Sequence, residues 1–387
     1  MWKFPLNIML DVTTRCNAGC PQCHRTDPMG LNKASWLPDI NWTLEEFKQA
    51  LPEKLCNHIY NYDFCGTWGD CLTNPDILPM VKYIKENAHP EVSICINTNG
   101  SLRNEEFWWD LGVAGGKNLQ VVFCVEGTTQ EMHENYRQFT FLDKIFNNMD
   151  MLSNTPATIR TQTLVWKHNE HCLPEIEKLC MDHGSVRHHF VATDRWHDGD
   201  KLEFSIKGKP GVLEATSPDW QKTFRQTHQE RKEDENRPDY TRIDRRWFTT
   251  QKAKVGDGEK KLEDTSQGKI VCEWGARNKV VINPDGQVLP CCYFCNPHFF
   301  NKNDPKIKRH FIDHPIMKEY KIYEKELNVF TANLMDIINH KWFQSTLQDS
   351  WSKTKPVYQC EKFCGKCNKF GNIDSGFLAA YERKRTL

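Results

Sequence analysis

Six short apolar runs, at 7–12, 59–65, 92–98, 119–125, 158–165 and 186–192, alternate with helix-like stretches at 43–54, 76–88, 104–111, 141–152 and 172–183. Strands separated by helices cannot be joined by tight hairpins. They pair in parallel through right-handed crossovers, which predicts an α/β fold. Thr43 followed by Glu46 predicts a capping box at the start of the first helix. In sheets of this kind reactive groups gather at the C-terminal ends of the strands. The residues just beyond each run are therefore the ones to read for chemistry.

The alternation stops after residue 197. Of the 71 residues in 198–268, 30 are charged, 15 of each sign. Such a segment reads as a solvated insertion or linker. The functional alternative is a lid or partner-docking element over the barrel mouth, anchored by Trp220, Phe224, Tyr240, Trp247 and Phe248. From 269 the pattern changes again: Lys279-Val280-Val281-Ile282, then Asn283-Pro284-Asp285-Gly286, then Gln287-Val288-Leu289 predicts a β-hairpin, and 341–351 predicts a helix. The 387 residues thus divide into 1–197, 198–268 and 269–387, in keeping with about 100–200 residues per domain. Acids and bases balance at 51 each, which leaves no electrostatic footprint for nucleic acid. No apolar run is long enough to span a membrane, and no secretory signal opens the chain. A cytoplasmic protein is expected.

In that compartment thiols stay reduced, and clustered cysteines bind metal more often than they pair. The count is 17, odd, with Cys16, Cys20 and Cys23 close behind the first strand and Cys272, Cys291, Cys292, Cys295, Cys360, Cys364 and Cys367 in the last third. Thiolates spaced by three and two residues can wrap one face of a 4Fe–4S cubane, leaving the fourth iron open for a substrate or cosubstrate. A structural zinc site would need a fourth ligand, and His24 is the local candidate.

Cys16-x3-Cys20-x2-Cys23 resembles the signature of the radical S-adenosylmethionine (radical SAM) superfamily, and further segments match in the expected order. Trp68-Gly69-Asp70-Cys71 stands where the family has Gly-Gly-Glu-Pro, whose acid and backbone hold the methionine amino group. Asn97-Thr98-Asn99-Gly100 resembles the Thr-Asn-Gly that closes the third strand. Val125-Glu126-Gly127 is similar to the segment after strand four, which implies Glu126 as a ribose ligand. Arg137 could then pair with the methionine carboxylate or lie solvated. The resemblance covers most of 5–195 and implies a partial (β/α)6 TIM-like barrel. Two departures stand out: Gln22 replaces a frequent aromatic before the third cysteine, and Trp68 replaces a glycine. The implied cofactor-binding set is Trp68, Gly69, Asp70, Asn97, Asn99, Glu126 and Arg137.

At the other end, a hairpin can bring Cys272 and Cys291 together while Cys364-x2-Cys367 completes a four-thiolate cage. Cys272-x13-Gly286-x4-Cys291 resembles the SPASM and twitch auxiliary-cluster domains, and the absence of the longer SPASM array implies one auxiliary 4Fe–4S cluster. Cys272, Cys291, Cys364 and Cys367 are its expected ligands, with Cys360, Cys292 and Cys295 as alternatives. Tetrahedral zinc suits four thiolates equally.

The resemblance implies reductive cleavage of S-adenosylmethionine to a 5′-deoxyadenosyl radical, fed by an external donor such as flavodoxin or ferredoxin. That radical would take a hydrogen atom from a peptide or small polar metabolite, with net oxidation through the auxiliary cluster. Strand alternation puts Cys124 on the same face as Glu126. There it is either a hydrogen donor, which would make the enzyme an epimerase, or a quiet core thiol. Methylation, C–C bond formation, or a non-catalytic zinc or iron–sulfur binding module are the competing readings.

Overall fold

The computed structural model describes residues 2–193, 200–217, 270, 272–303, 311–351, 357, 359–360 and 364. Strands β1 (Leu6–Leu10), β2 (Ile59–Phe64), β3 (Ser93–Thr98), β4 (Leu119–Cys124), β5 (Thr158–Val165) and β6 (Ser185–Ala192) lie side by side in chain order. Each neighbouring pair is parallel. Helices α1 (Leu44–Ala50), α2 (Glu53–Cys56), α3 (Ile77–Asn87), α4 (Glu105–Gly115), α5 (Gln130–Glu134), α6 (Leu142–Ser153) and α7 (Leu173–Asp182) fill the crossovers. The sheet does not close, as a partial barrel requires.

The Thr43 capping box is present: Glu46 N donates to Thr43 Oγ1 at 3.2 Å and Thr43 N donates to Glu46 Oε2 at 2.7 Å. The single helix expected over 43–54 is split instead. Pro52 has no N–H to continue α1 and a fixed φ that suits a helix entry, so α2 starts just after it. Alternation along β2 and β3 separates two faces. Tyr62, Phe64, Ile94 and Ile96 are buried towards the helices, with Phe47 of α1 stacked on Phe64. Asn61, Asp63, Cys95 and Asn97 take the opposite face and stay half-buried. The concave side of the sheet is therefore polar where the convex side is apolar.

After β6 come two antiparallel strands, β7 (Lys201–Ile206) and β8 (Lys209–Glu214), which form a sheet of their own. The hairpin expected near 279–289 is β9 (Lys279–Ile282) and β10 (Val288–Leu289). It joins the main sheet, because β9 pairs in parallel with the free edge of β1, Asn7 opposite Lys279 and Leu10 opposite Ile282. The main sheet thus has eight strands, in the order β10-β9-β1-β2-β3-β4-β5-β6. Gly286 closes the hairpin turn at φ +81°, where a Cβ would sit 2.5 Å from the Phe330 ring. The described residues up to Ala215 and those from Ile270 onward make one compact unit. The five aromatic residues expected to anchor a lid lie outside the described residues.

Candidate active site

The loop after β1 carries the cysteine triplet. Cys16, Cys20 and Cys23 pack in one apolar cluster with Ala18, Leu31, Tyr136, Trp166, Phe204 and Leu213. Cys23 N donates to Cys20 O at 3.0 Å, and Arg25 Nη1 holds Ala18 O at 2.9 Å. Gly19 is needed here, since a Cβ would meet the Phe139 ring at 2.6 Å. Burial pushes the Cys16 thiol up to about 11 and the Cys20 thiol higher, while Arg25 and Arg137 respectively draw them down. Among the described residues, no three His, Cys, Asp or Glu side chains converge as ligands of a single ion.

The segment after β2 lies against this loop. Gly69 permits the approach: a Cβ would sit 2.5 Å from Thr13 O and 2.6 Å from Arg15 O. Asp70 N donates to Arg15 O at 2.8 Å. The buried Asp70 carboxylate accepts from Leu72 N (3.0 Å) on Oδ1, and from Thr98 Oγ1 (2.9 Å), Asn99 N (2.8 Å) and Asn99 Nδ2 (2.7 Å) on Oδ2. Burial raises its pKa, and these donors oppose the rise. Asn99 Nδ2 also reaches Asn17 Oδ1 at 2.8 Å and lies 3.8 Å from Cys16 Sγ. One network therefore ties the ends of β2 and β3 to the cysteine loop.

Asn97 is outside that network. Its Nδ2 donates to Asp63 Oδ1 at 3.2 Å on the concave face, where Lys279 Nζ meets Asp63 Oδ2 at 3.1 Å. This ion pair, contributed by β2 and β9, was not foreseen. Its signal was present as polar residues at alternate positions of apolar strands.

Beyond β4, Glu126 is fully buried and Arg137 Nε donates to its Oε2 at 2.9 Å. Arg137 Nη1 lies 3.7 Å from Cys20 Sγ. His133 Nδ1 accepts the Glu126 N–H at 3.2 Å, and burial holds that imidazole neutral, at about 3. Glu126 itself is raised by burial and pulled back by Arg137. Its Oε1 is buried without a partner of hydrogen-bond geometry. Cys124 Sγ, also buried, accepts from Gln162 Nε2 at 3.2 Å.

Trp68 turns to the C-terminal segment. Its fully buried ring lies 4.8 Å from Phe299 and 5.8 Å from Trp36, ring centroid to centroid. Phe299 belongs to the helix Cys292–Asn303. Cys291, Cys292, Cys360 and Cys364 are buried, and the Cys291 thiol is raised first by burial and then by the other three. Cys295 Sγ donates to Asn283 Oδ1 at 2.6 Å, and Cys272 Sγ accepts from Gly275 N at 3.3 Å. Cys367 lies outside the described residues. A buried carboxyl also escaped the sequence reading: Asp11, at the end of β1, is raised to about 7 by burial and takes the Trp68 N–H at 3.4 Å.

No helix among the described residues is long and apolar enough to cross a membrane. No family model matches the chain, and no curated protein matches it. Solved structures do. Streptococcus suis SuiB superposes with a TM-score of 0.52 at 12% identity, over 90% of this chain and 67% of SuiB. SuiB bound to the precursor peptide SuiA gives 0.50 at 12%, over 89% and 66%. Native anSMEcpe with bound AdoMet gives 0.52 at 13%, over 98% of this chain and 93% of that one. The chain spans about two-thirds of SuiB and nearly all of anSMEcpe. What it shares with both, at this identity, is their fold.

Proposed function

We propose that this chain is a radical SAM enzyme whose reaction begins on the Cys16–Cys23 loop. The observation that carries the reading is convergence. Three thiols sit in one apolar cluster, and the Asp70–Asn99 network and the Arg137–Glu126 pair approach them from the ends of β2, β3 and β4. The residues fit the cofactors: three soft thiolate donors suit one face of a cubane. The partnerless Glu126 Oε1 is an acceptor for a ribose hydroxyl. Held there, a 4Fe–4S cluster with S-adenosylmethionine would supply, given one electron from an external donor, homolytic cleavage of the carbon–sulfur bond to methionine and a radical able to take a hydrogen atom from substrate.

The protein's part is to hold and to exclude. Asp70 and Gly69 receive the methionine ammonium, and Asn99 fixes Asp70 against the loop. Arg137 draws the Glu126 carboxyl down against the burial that raises it, while staying close to Cys20. Leu31, Tyr136, Trp166 and Phe204 pack against the loop, with Cys20 buried and Cys16 and Cys23 half-buried among them. Net oxidation, with one auxiliary 4Fe–4S cluster as electron acceptor, is the favoured outcome. What supports an auxiliary cluster is that Cys272, Cys291, Cys292, Cys295, Cys360 and Cys364 are all buried thiols of the C-terminal segment. Cys272, Cys291, Cys364 and Cys367 are its proposed ligands, with Cys360, Cys292 and Cys295 as alternatives. A peptide substrate is supported by SuiB and anSMEcpe having been solved with peptides. Flavodoxin or ferredoxin is the proposed electron donor.

Anaerobic reconstitution tests the reading. About eight irons per chain are expected, falling to about four in the C16A/C20A/C23A variant, with 5′-deoxyadenosine formed on reduction in the presence of S-adenosylmethionine. Bound zinc with no nucleoside product would overturn it in favour of a binding module.

A further inference from the structure

Hairpin β7–β8 lies directly on the cysteine loop. Gly30 N donates to Ser205 O and Ser205 N to Pro28 O, both at 3.0 Å, so Met29 meets Ser205 of β7 in a single parallel bridge. Beneath the hairpin, Leu202, Phe204, Ile206 and Leu213 pack in the same cluster as Cys16, Cys20 and Cys23. Leu213 is wholly buried and Phe204 is 7% exposed. Gly211 lets the phenyl lie across the hairpin, since a Cβ there would meet it at 2.4 Å. At the base of the hairpin, Glu214 takes Lys167 Nζ at 2.7 Å and Lys201 Nζ at 2.6 Å. A separate tie joins the end of β6 to the loop: Thr193 Oγ1 donates to Gln22 Oε1 at 2.7 Å, next to Cys23.

We infer that β7–β8 is a positioning clamp. It holds the irregular Cys16–Cys23 loop in its ligating conformation and shields the thiolates from solutes. This rests on the proposed function, because it takes those three cysteines as the ligands of the first cluster. An irregular loop opens locally unless neighbouring elements pack on it, and each opening exposes what it carries. One hairpin supplies four of the side chains in that cluster, Leu202, Phe204, Ile206 and Leu213. Phe204 and Leu213 touch neither substrate nor cofactor in this account and act through the loop.

The test is the rate of iron release from the reconstituted full chain to bathophenanthroline disulfonate under dithionite. The C16A/C20A/C23A trace is subtracted to isolate iron on the loop. Phe204→Ala is expected to speed release at least about tenfold, since truncating a buried phenyl removes more than a tenfold shift in opening requires. Phe204→Leu restores most of the protection. Val212→Ala, on the exposed side of the same hairpin, leaves the rate unchanged. Should Phe204→Ala fail to fold, K167A/K201A loosens the base from outside the core and is expected to speed release two- to threefold by about the same logic on a weaker contact. Wild-type release from whichever variant folds overturns the clamp. If instead C16A/C20A/C23A retains wild-type iron, the underlying cluster reading fails and the clamp falls with it.

Discussion

Arg137 connects Glu126 to Cys20: one edge of its guanidinium donates to the Glu126 carboxylate at 2.9 Å while Nη1 lies 3.7 Å from the Cys20 sulfur. The carboxylate has no exposed surface and the guanidinium side chain little. Removing the cation strands a buried charge. Arg137→Met is therefore expected to lower folding stability by about 3–5 kcal/mol. Arg137→Lys, which keeps the charge and loses the fork, costs less. Urea denaturation of the iron-free chain measures both, and a loss below about 0.5 kcal/mol for Arg137→Met would contradict the pair.

Asp70 makes a different prediction, because all its partners are donors. Three meet Oδ2 and Leu72 N meets Oδ1. An asparagine in its place must turn its NH₂ towards one of those N–H or O–H groups. Asp70→Asn is expected to cost about 1–3 kcal/mol and to free Asn99 from its bridge to Asn17. Under the proposed function it also weakens S-adenosylmethionine binding to the reconstituted chain by tenfold or more, about 1.4 kcal/mol. Equilibrium binding checks this, and wild-type affinity would remove Asp70 from the site.

The parallel strands were legible because each has an apolar face towards helices, and that face survives as a run in the sequence. Chemistry-bearing loops followed from strand direction alone. Pairing of β9 with β1 was not legible, since nothing local links Asn7 to Lys279 across so much chain. The β7–β8 hairpin was hidden by composition. Its outward positions, Lys201 and Glu203, belong to the charge count of 198–268, yet Leu202, Phe204 and Ile206 alternate with them at the period of a strand. Arg137 shows the limit for single residues: the sequence left it either on a methionine carboxylate or in solvent, and its burial beside Glu126 removes the second.

Asp11 gives the fold a pH dependence with a definite sign. Burial raises its carboxyl from 3.8 to about 7, with Asp63 adding to the rise and the Thr67 and Trp68 amides opposing it. The folded chain then binds a proton that the unfolded chain has released. Stability from this group is full below the unfolded value and falls as pH climbs from 3.8 through about 7. The loss reaches roughly 4 kcal/mol at the upper end. Asp11→Asn removes that slope, so the stability difference between variant and wild type should grow in the variant's favour from pH 5 to pH 8. Melting curves at both values test it, and a constant difference would show that Asp11 is ionised throughout.

Trp68 stands where the resemblance drawn from the sequence expects a glycine, and its ring is spent on packing. Phe299 and Trp36 lie within 4.8 and 5.8 Å of it, centroid to centroid, and Phe300 within 6.3 Å. The ring packs the segment that bears Gly69 and Asp70 against the helix Cys292–Asn303, beside the Trp36–Phe300 and His24–Phe300 contacts. Trp68→Gly empties that volume and is expected to cost about 3–5 kcal/mol. Trp68→Phe keeps part of the packing and costs less. β9 holds its place on β1 through a separate ladder, so the C-terminal segment stays attached while the helix loosens. Thermal unfolding and iron content measured together separate the two effects. A Trp68→Gly chain with unchanged melting and full iron would mean that the aromatic cluster contributes nothing to joining the two cysteine regions.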